Sequence, residues 1–216
     1  MKPIIYYQDE YIIVAYKPYG ALSEEHDCKT DMPSLLKAET GCLEIYPVHR
    51  LDRTTQGLMV YAKTPDAAKR MGEMFRKGEV EKRYLAVVEG IPSAQSGELR
   101  DLLYFDRRRN KSFVVKRERK GVKEAVLSYD TLAFSQTDGE DISLLRIRLH
   151  TGRTHQIRVQ FASRKTPLAG DRRYGSRLRT DEIMLCSSYL CFKHPYTGEK
   201  MTFTYDPDNG LFRLFE

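Results

Sequence analysis

The sequence has few of the features that mark secreted, membrane or metal-binding proteins. Its four cysteines never have the C-x₂-C spacing of a structural zinc site. No stretch approaches the roughly 20 apolar residues of a membrane helix, and Asp9 and Glu10 interrupt the apolar start that a signal peptide needs. These absences predict a soluble, cytoplasmic protein without a metal site, in which the cysteines are free thiols. The cysteines are Cys28, Cys42, Cys186 and Cys191.

Internal repeats, low-complexity tracts and a convincing linker are also absent from the 216 residues. The composition, 41% hydrophobic and 31% charged, is typical of a globular protein. A chain of this length buries roughly 70% of the surface that it exposes when unfolded, which is enough for a full core. We expect a monomer with one domain over residues 1–216, which can have two lobes.

Short runs of β-branched and aromatic residues predict strands along most of the chain. Two helices have clear boundaries: "MPSLLKAET" ends at Gly41, and a second helix starts at Thr64-Pro65 and ends at Gly78. The segment "TGRTHQIRVQFASR" has helical spacing, with Ile157 and Phe161 four residues apart. Strands outnumber helices and short turns join several of them. The predicted fold class is α+β, a mixed, mostly antiparallel sheet with flanking helices.

Positive charge is concentrated in two segments. The total is +6, yet residues 105–123 carry +7 and residues 164–179 carry +5, so the rest of the chain sums to −6. Such local basicity is typical of a polyanion-binding surface, although two solvated loops would give the same pattern. The first segment is predicted as the charged tip of a β-hairpin, an insertion over about residues 98–125.

The nine residues "HRLDRTTQG", 49–57, place one carboxylate among cations and hydroxyls just before an apolar strand. Nearby arginines favour the ionised form of Asp52, which makes a nucleophile or a base available at neutral pH. The same electrostatics would suit a loop salt bridge with no chemistry. The nine residues alone leave both interpretations open.

Further motifs accompany HRLD in a fixed order: KPYG (17–20), KRYLAVVEG (82–90), TGRTHQIRVQ (151–160), LAGDRRYG (168–175) and HPYTGE (194–199). In this order and spacing they closely resemble the RluA-type pseudouridine synthase family, over about residues 5–207. HRLD with its T-x-G turn, followed a hundred residues later by TGRTHQIR, is a highly specific pair.

The resemblance implies an enzyme that isomerises uridine to pseudouridine in structured RNA, ribosomal or transfer, without cofactor or metal. The family's catalytic aspartate corresponds to Asp52, and its active-site tyrosine, which packs on the target base, to Tyr84. The arginine that pairs with the catalytic carboxylate corresponds to Arg158. Arg50 corresponds to the arginine that fills the space left by the flipped-out nucleotide.

Each implied role has a physical basis. A uracil in a helix hides C1′ and C5, so the nucleotide must be extruded, and a planar guanidinium can occupy the gap. A flipped pyrimidine stacks on an aromatic ring such as that of Tyr84. An ionised Asp52 can stabilise or trap positive charge at C1′, as nucleophile or as base, with Arg158 aiming it. Alternatively, Tyr84 is a strand core residue and Arg158 a helix-surface cation.

Two positions depart from the family, which usually has serine where Gln56 stands and often histidine where Cys186 stands. We expect both to affect packing or substrate choice rather than activity. The catalytic strands begin at once, so we expect no N-terminal S4-type domain and assign RNA selection to this domain. The candidate RNA-binding residues are Arg50, Arg53, Arg107, Arg108, Arg109, Lys111, Arg153, Arg172 and Arg173.

Two other functions share part of this pattern. An RNA-binding or chaperone module could keep the fold without catalysis, but it would have no reason to retain Asp52, Tyr84 and Arg158 together. A hydrolytic N-glycosylase would share the first half of the chemistry and release the base. The products separate these functions: pseudouridine, unchanged RNA, or an abasic site with free uracil.

Overall fold

A computed structural model describes residues 3–26 and 30–215, which divide into two compact units. The first unit comprises the chain up to Lys82 together with Cys186–Asp206. The second comprises Arg83–Leu185 and the segment from Pro207 onward. The single domain expected from the sequence stays a prediction, and Cys28 lies outside the described residues.

The first unit is built on a sheet whose central strand, β4, runs antiparallel to β2 and parallel to β10. β1 pairs with β2, β11 pairs with β10, and the short β3 pairs with β4, all antiparallel. Met71 of α2 packs in a core with Ile12, Val14, Leu58 and Val60. The elements are β1 (Ile4–Gln8), β2 (Ile12–Lys17), α1 (Met32–Thr40), β3 (Tyr46–Pro47), β4 (Gln56–Ala62), α2 (Pro65–Lys77), β10 (Leu185–Lys193) and β11 (Lys200–Thr204).

Local sequence signals explain where the two helices begin and end. The Asp31 carboxylate accepts from Ser34 N at 2.8 Å at the start of α1, and Thr64 Oγ1 accepts from Ala67 N at 3.2 Å at the start of α2. Both helices end at a glycine with positive φ, Gly41 and Gly78, as predicted.

The second unit is an antiparallel sheet with strand order β5-β9-β8-β6-β7 and, among the described residues, one short α-helix and two 3-10 helices, Arg172–Tyr174 and Gly210–Phe215. Leu103, Ala125, Val159 and Tyr174 form a core cluster beside the helix. The mixed, mostly antiparallel α+β fold predicted from the sequence is confirmed. The elements are β5 (Glu81–Glu89), β6 (Ser96–Asp106), β7 (Lys111–Val115), β8 (Val122–Thr137), β9 (Glu140–Leu149) and α3 (Gln156–Ala162).

Helix α3 is shorter than the spacing of residues 151–164 predicted, since it begins only at Gln156. His155 has φ of 54°, which the α-helical backbone does not allow. The Gln156 side chain also holds the preceding residues in a turn, because its Oε1 accepts from Thr151 Oγ1 at 2.8 Å and from Arg153 N at 3.0 Å. The first half of the motif is therefore a fixed loop.

Candidate functional site

The backbone around Asp52 is fixed by contacts on both sides of the residue. Leu51 N donates to Ser23 Oγ at 3.0 Å, and the same hydroxyl donates back to Leu51 O at 2.8 Å. Thr55 N donates to Asp52 O at 2.9 Å and closes a turn. The half-buried Asp52 side chain thus stands on a rigid turn at the start of β4.

Lys17, from the KPYG motif, stabilises this turn through hydrogen bonds to its backbone. Its side chain is fully buried, and its Nζ donates to Thr55 O at 2.7 Å, Pro18 O at 3.1 Å and Arg53 O at 3.4 Å. Burial lowers the pKa of Lys17 to about 7; the charge of Arg53 lowers it too, and that of Asp52 raises it. This role of Lys17 was not predicted from the sequence.

His49, the first residue of HRLD, anchors the turn as a neutral ring. Its Nε2 accepts from Val60 N at 3.0 Å, and the ring stacks on Phe75 with centroids 4.6 Å apart. Burial, with a smaller effect of the Lys82 charge, lowers the pKa of His49 to about 3. A neutral imidazole is required here, because only an unprotonated nitrogen can accept the Val60 hydrogen bond.

The arginines that flank Asp52 make their contacts elsewhere. Arg53 Nε donates to Gly20 O at 3.0 Å, and Arg50 Nη1 lies 3.8 Å from Glu24 Oε2 on the surface. Within the described residues, neither arginine forms a hydrogen bond or an ion pair with Asp52. The local salt bridge with these neighbours, the alternative to a reactive carboxylate, is therefore not formed.

Tyr84 and Arg158 lie in the second unit, whereas Asp52 lies in the first, and their joint action stays a prediction. Tyr84 is 5% exposed in β5, opposite Ile147 of β9. Arg158 in α3 is 4% exposed, so the alternative of a helix-surface cation is wrong.

Arg158 forms a buried ion pair that sequence reasoning missed. Its Nε and Nη2 donate to the two carboxylate oxygens of Asp171 at 2.6 and 2.9 Å, and its guanidinium lies 5.1 Å from the centre of the Tyr174 ring. This bidentate geometry fixes the plane of the guanidinium. A signal was present, because Asp171 is an acid among arginines in LAGDRRYG, but the motif alone does not identify the partner.

Hydrogen bonds connect the two basic segments, residues 105–123, called the basic hairpin below, and residues 164–179. Lys111 Nζ donates to Arg173 O at 2.7 Å, and Arg173 Nη1 donates to Asn110 O at 2.8 Å and to Arg109 O at 3.0 Å. Lys111 and Arg173, predicted to bind RNA, therefore also hold the hairpin in place. Arg107, Arg108, Arg109 and Arg172 are exposed, while Arg153 is half-buried and donates through Nε to Glu124 O at 2.8 Å.

The two departures noted in the sequence are neighbours. Gln56 of β4 is the parallel register partner of Cys186 of β10, and both side chains are buried. Tyr16 OH donates to Gln56 Oε1 at 2.5 Å. Their effects on substrate choice and activity stay predictions.

The described residues hold no candidate for a metal site or for a membrane-spanning helix. Across residues 3–26 and 30–215, no three His, Cys, Asp or Glu side chains are grouped so that they could hold a metal ion. No helix in the described part of the chain has the length and apolar character needed to cross a membrane.

Comparison with known proteins adds to this geometry. A family model described as RNA pseudouridylate synthase matches residues 11–163. Dual-specificity RNA pseudouridine synthase RluA of Escherichia coli is 33% identical over 207 residues, covering 93% of this chain and 91% of the relative. tRNA pseudouridine synthase C of Vibrio vulnificus is 30% identical over 233 residues, covering 98% and 94%. The solved structure of human RNA pseudouridylate synthase domain containing 1 has the same fold, with a TM-score of 0.81 at 21% identity over 97% of this chain and 85% of that one.

Proposed function

The chain belongs to the RluA-type family of RNA pseudouridine synthases, and we propose that Asp52 is the carboxylate with which it isomerises uridine in structured tRNA or rRNA. The observation that carries this proposal is the rigid turn of Asp52. Lys17 and Ser23 hold the turn backbone, and the flanking arginines leave the carboxylate to other partners. Such pre-organisation is what a reacting group requires.

The reaction conserves every atom of the uridine. The bond between C1′ and N1 breaks, the base turns, and a bond forms between C1′ and C5. A proton leaves C5 and one is gained at N1, so no oxidant, reductant or cofactor is needed. Asp52 acts either as a nucleophile that traps C1′ or as a base that removes a sugar proton, and its negative charge serves both routes.

Tyr84 and Arg158 complete the proposed catalytic group. Tyr84 is the proposed aromatic platform on which the extruded pyrimidine stacks. The Asp171 carboxylate fixes the guanidinium of Arg158, which supports a role that depends on an aimed positive charge. The expected pairing of Arg158 with Asp52 is part of the proposal.

Base flipping is supported by the position of Arg50, two residues before Asp52. Its side chain is 62% exposed, and its ion pair with the equally exposed Glu24 is weak enough to be exchanged for RNA. A planar guanidinium can then occupy the gap in the base stack.

The described cysteines, Cys42, Cys186 and Cys191, are free, which supports the proposed cytoplasmic location. The monomeric state is proposed from the sequence alone.

Incubation of the purified protein with total tRNA and rRNA, followed by nucleoside mass spectrometry, tests the proposed function. Pseudouridine that increases with enzyme concentration, without free uracil, is the expected product. Free uracil with abasic sites would identify a glycosylase. RNA that binds but stays unchanged would identify a binding module.

A further inference from the structure

A cavity of about 850 Å³ lies in the second unit. Its walls come from the turn of the basic hairpin, from the loop of residues 116–121 and from Gly152–Thr154, the first half of the TGRTHQIR motif. Two neighbouring parts of the basic segment 105–123 and the distant Gly152–Thr154 therefore line one space. The basic segment was noted in the sequence for its charge, and Gly152–Thr154 for its motif.

The lining is strongly positive. Five cations line the cavity, namely Arg107, Arg108, Lys120, Lys123 and Arg153. The acid among the described lining residues, Asp106, is already engaged, since its Oδ1 accepts from Arg108 N at 2.9 Å and from Arg109 N at 3.1 Å. Within the described residues, Lys120 and Lys123 have no acidic partner. Like charges gathered without counter-charges create a positive potential that attracts an anion.

Side-chain contacts hold the walls of the cavity in place. Arg119 stacks over the Tyr104 ring at 4.7 Å and ties the 116–121 loop to β6. On the other side, Ser112 Oγ donates to Thr154 O at 2.5 Å, and Arg153 Nε donates to Glu124 O. The cations therefore surround a pre-formed space, which lowers the entropy that is lost when a ligand binds.

The chemistry favours a sugar-phosphate backbone over a base. The face of Tyr104 is covered by Arg119, and Phe105 meets the ring of His155 edge-on at 6.1 Å, so these lining aromatics already pack within the protein. Exposed cations bind a small anion weakly, because water screens each contact. A polyanion binds more tightly, because every phosphate that the protein neutralises releases a counterion.

We propose that this cavity binds consecutive phosphates of the RNA substrate, with Lys120, Lys123 and Arg153 as contacts. The inference rests on the proposed function for the identity of the polyanion. Because phosphates are the same in every sequence, the cavity strengthens binding of substrate and non-substrate RNA alike. Lys120 and Lys123 are absent from the RNA-binding residues predicted from sequence.

A matched pair of double variants tests the proposal. Lys120→Ala/Lys123→Ala removes two charges that line the cavity, whereas Lys116→Ala/Arg117→Ala removes two exposed charges of the same segment that do not line it. RNA affinity is measured against salt concentration by fluorescence anisotropy on one tRNA and one unrelated structured RNA. For the cavity pair we expect about a tenfold or greater loss of affinity and a salt slope shallower by roughly 1.4–1.8.

The control pair should change affinity less than about twofold, since exposed charges away from the phosphates are screened. Equal losses for the two pairs would mean diffuse attraction by the whole segment and would overturn the proposal, as would an unchanged slope for the cavity pair. Pseudouridine formation by the wild type is assayed in parallel. If RNA binding depends on the cavity but no pseudouridine forms, the proposed function fails and the cavity proposal stands.

Discussion

At the residue scale, the Asp52 turn depends on side chains that do no chemistry themselves. Lys17 donates to the carbonyl groups of Arg53 and Thr55 within the turn, and Ser23 both accepts from and donates to Leu51. The buried lysine is the more unusual of the two, because a charged ammonium loses its hydration when it is buried. Because the lost hydration lowers the pKa of Lys17, its effect on the free energy of unfolding depends on pH and can be measured.

Lys17→Met should remove a rise of stability with pH. The pKa is about 7 in the folded chain and 10.5 in the unfolded chain. Between about pH 7 and pH 10 the unfolded chain binds a proton that the folded chain has released, so the unfolding free energy rises by up to about 1.4 kcal/mol per pH unit. Below this window both states are protonated and the lysine adds no slope. Urea unfolding at several pH values compares the two proteins; parallel profiles would contradict the lowered pKa.

Asp171→Asn should destabilise the fold strongly, because it leaves the buried Arg158 charge without its bidentate partner. Both side chains are at most 5% exposed, and breaking such a pair costs about 3–5 kcal/mol. Asp130→Asn is the control, since its pair with Arg146 is exposed and is worth less than about 1 kcal/mol. Urea unfolding measures both losses. Similar losses in the two variants would mean that the Asp171 pair adds little stability.

At the element scale, strand β4 presents the Asp52 turn and depends on close contact with β10. Gly57 has φ of 117°, and a Cβ atom there would lie 2.4 Å from Ser187 O of β10. Only glycine allows both this backbone conformation and this approach. The glycine of HRLDRTTQG is thus a packing requirement of the strand that follows the Asp52 turn.

Gly57→Ala should therefore lower the unfolding free energy by more than about 3 kcal/mol, since strain and a backbone clash add together. Gly41→Ala also places alanine at positive φ, 71°, but meets no atom within 4 Å. It should lower the unfolding free energy only by the cost of holding alanine in the left-handed conformation, about 1–2 kcal/mol. Thermal and urea unfolding give both values, and equal costs would argue against the close approach of β4 and β10.

The sequence was sufficient for most elements because their signals are local. Thr64, Pro65 and Gly78 bound α2, and alternation in "ISLLRIRLH" marks β9. It was insufficient for the start of α3, which depends on a left-handed His155 and on the Gln156 side chain. The partner of Arg158 was also missed, because a contact across thirteen residues depends on the path of the chain between them.

At the scale of the whole molecule, the basicity is local. Two segments carry +12 while the rest of the chain carries −6. The structure joins these segments through Lys111 and Arg173, so charge that is split in the sequence forms one surface. A positive surface steers a polyanion from a distance, and the turn of Asp52 is the proposed source of the reacting carboxylate.

The central claim is that Asp52 reacts, and single-turnover pseudouridine formation by Asp52→Asn tests it most directly. The amide keeps the shape of the side chain but lacks the charge and the nucleophilic oxygen. Glu25→Gln is the control, because it removes an exposed acid whose partner, Lys37, has no part in the proposed reaction. Yields are normalised to folded protein and to bound RNA.

We predict that Asp52→Asn still binds RNA, because the loss of an acid beside phosphates relieves repulsion. Its pseudouridine yield should fall by roughly 10⁴-fold or more, while Glu25→Gln stays near the wild-type rate. A substantial yield from folded, RNA-bound Asp52→Asn would contradict the account and would leave HRLDRTTQG as a structural turn.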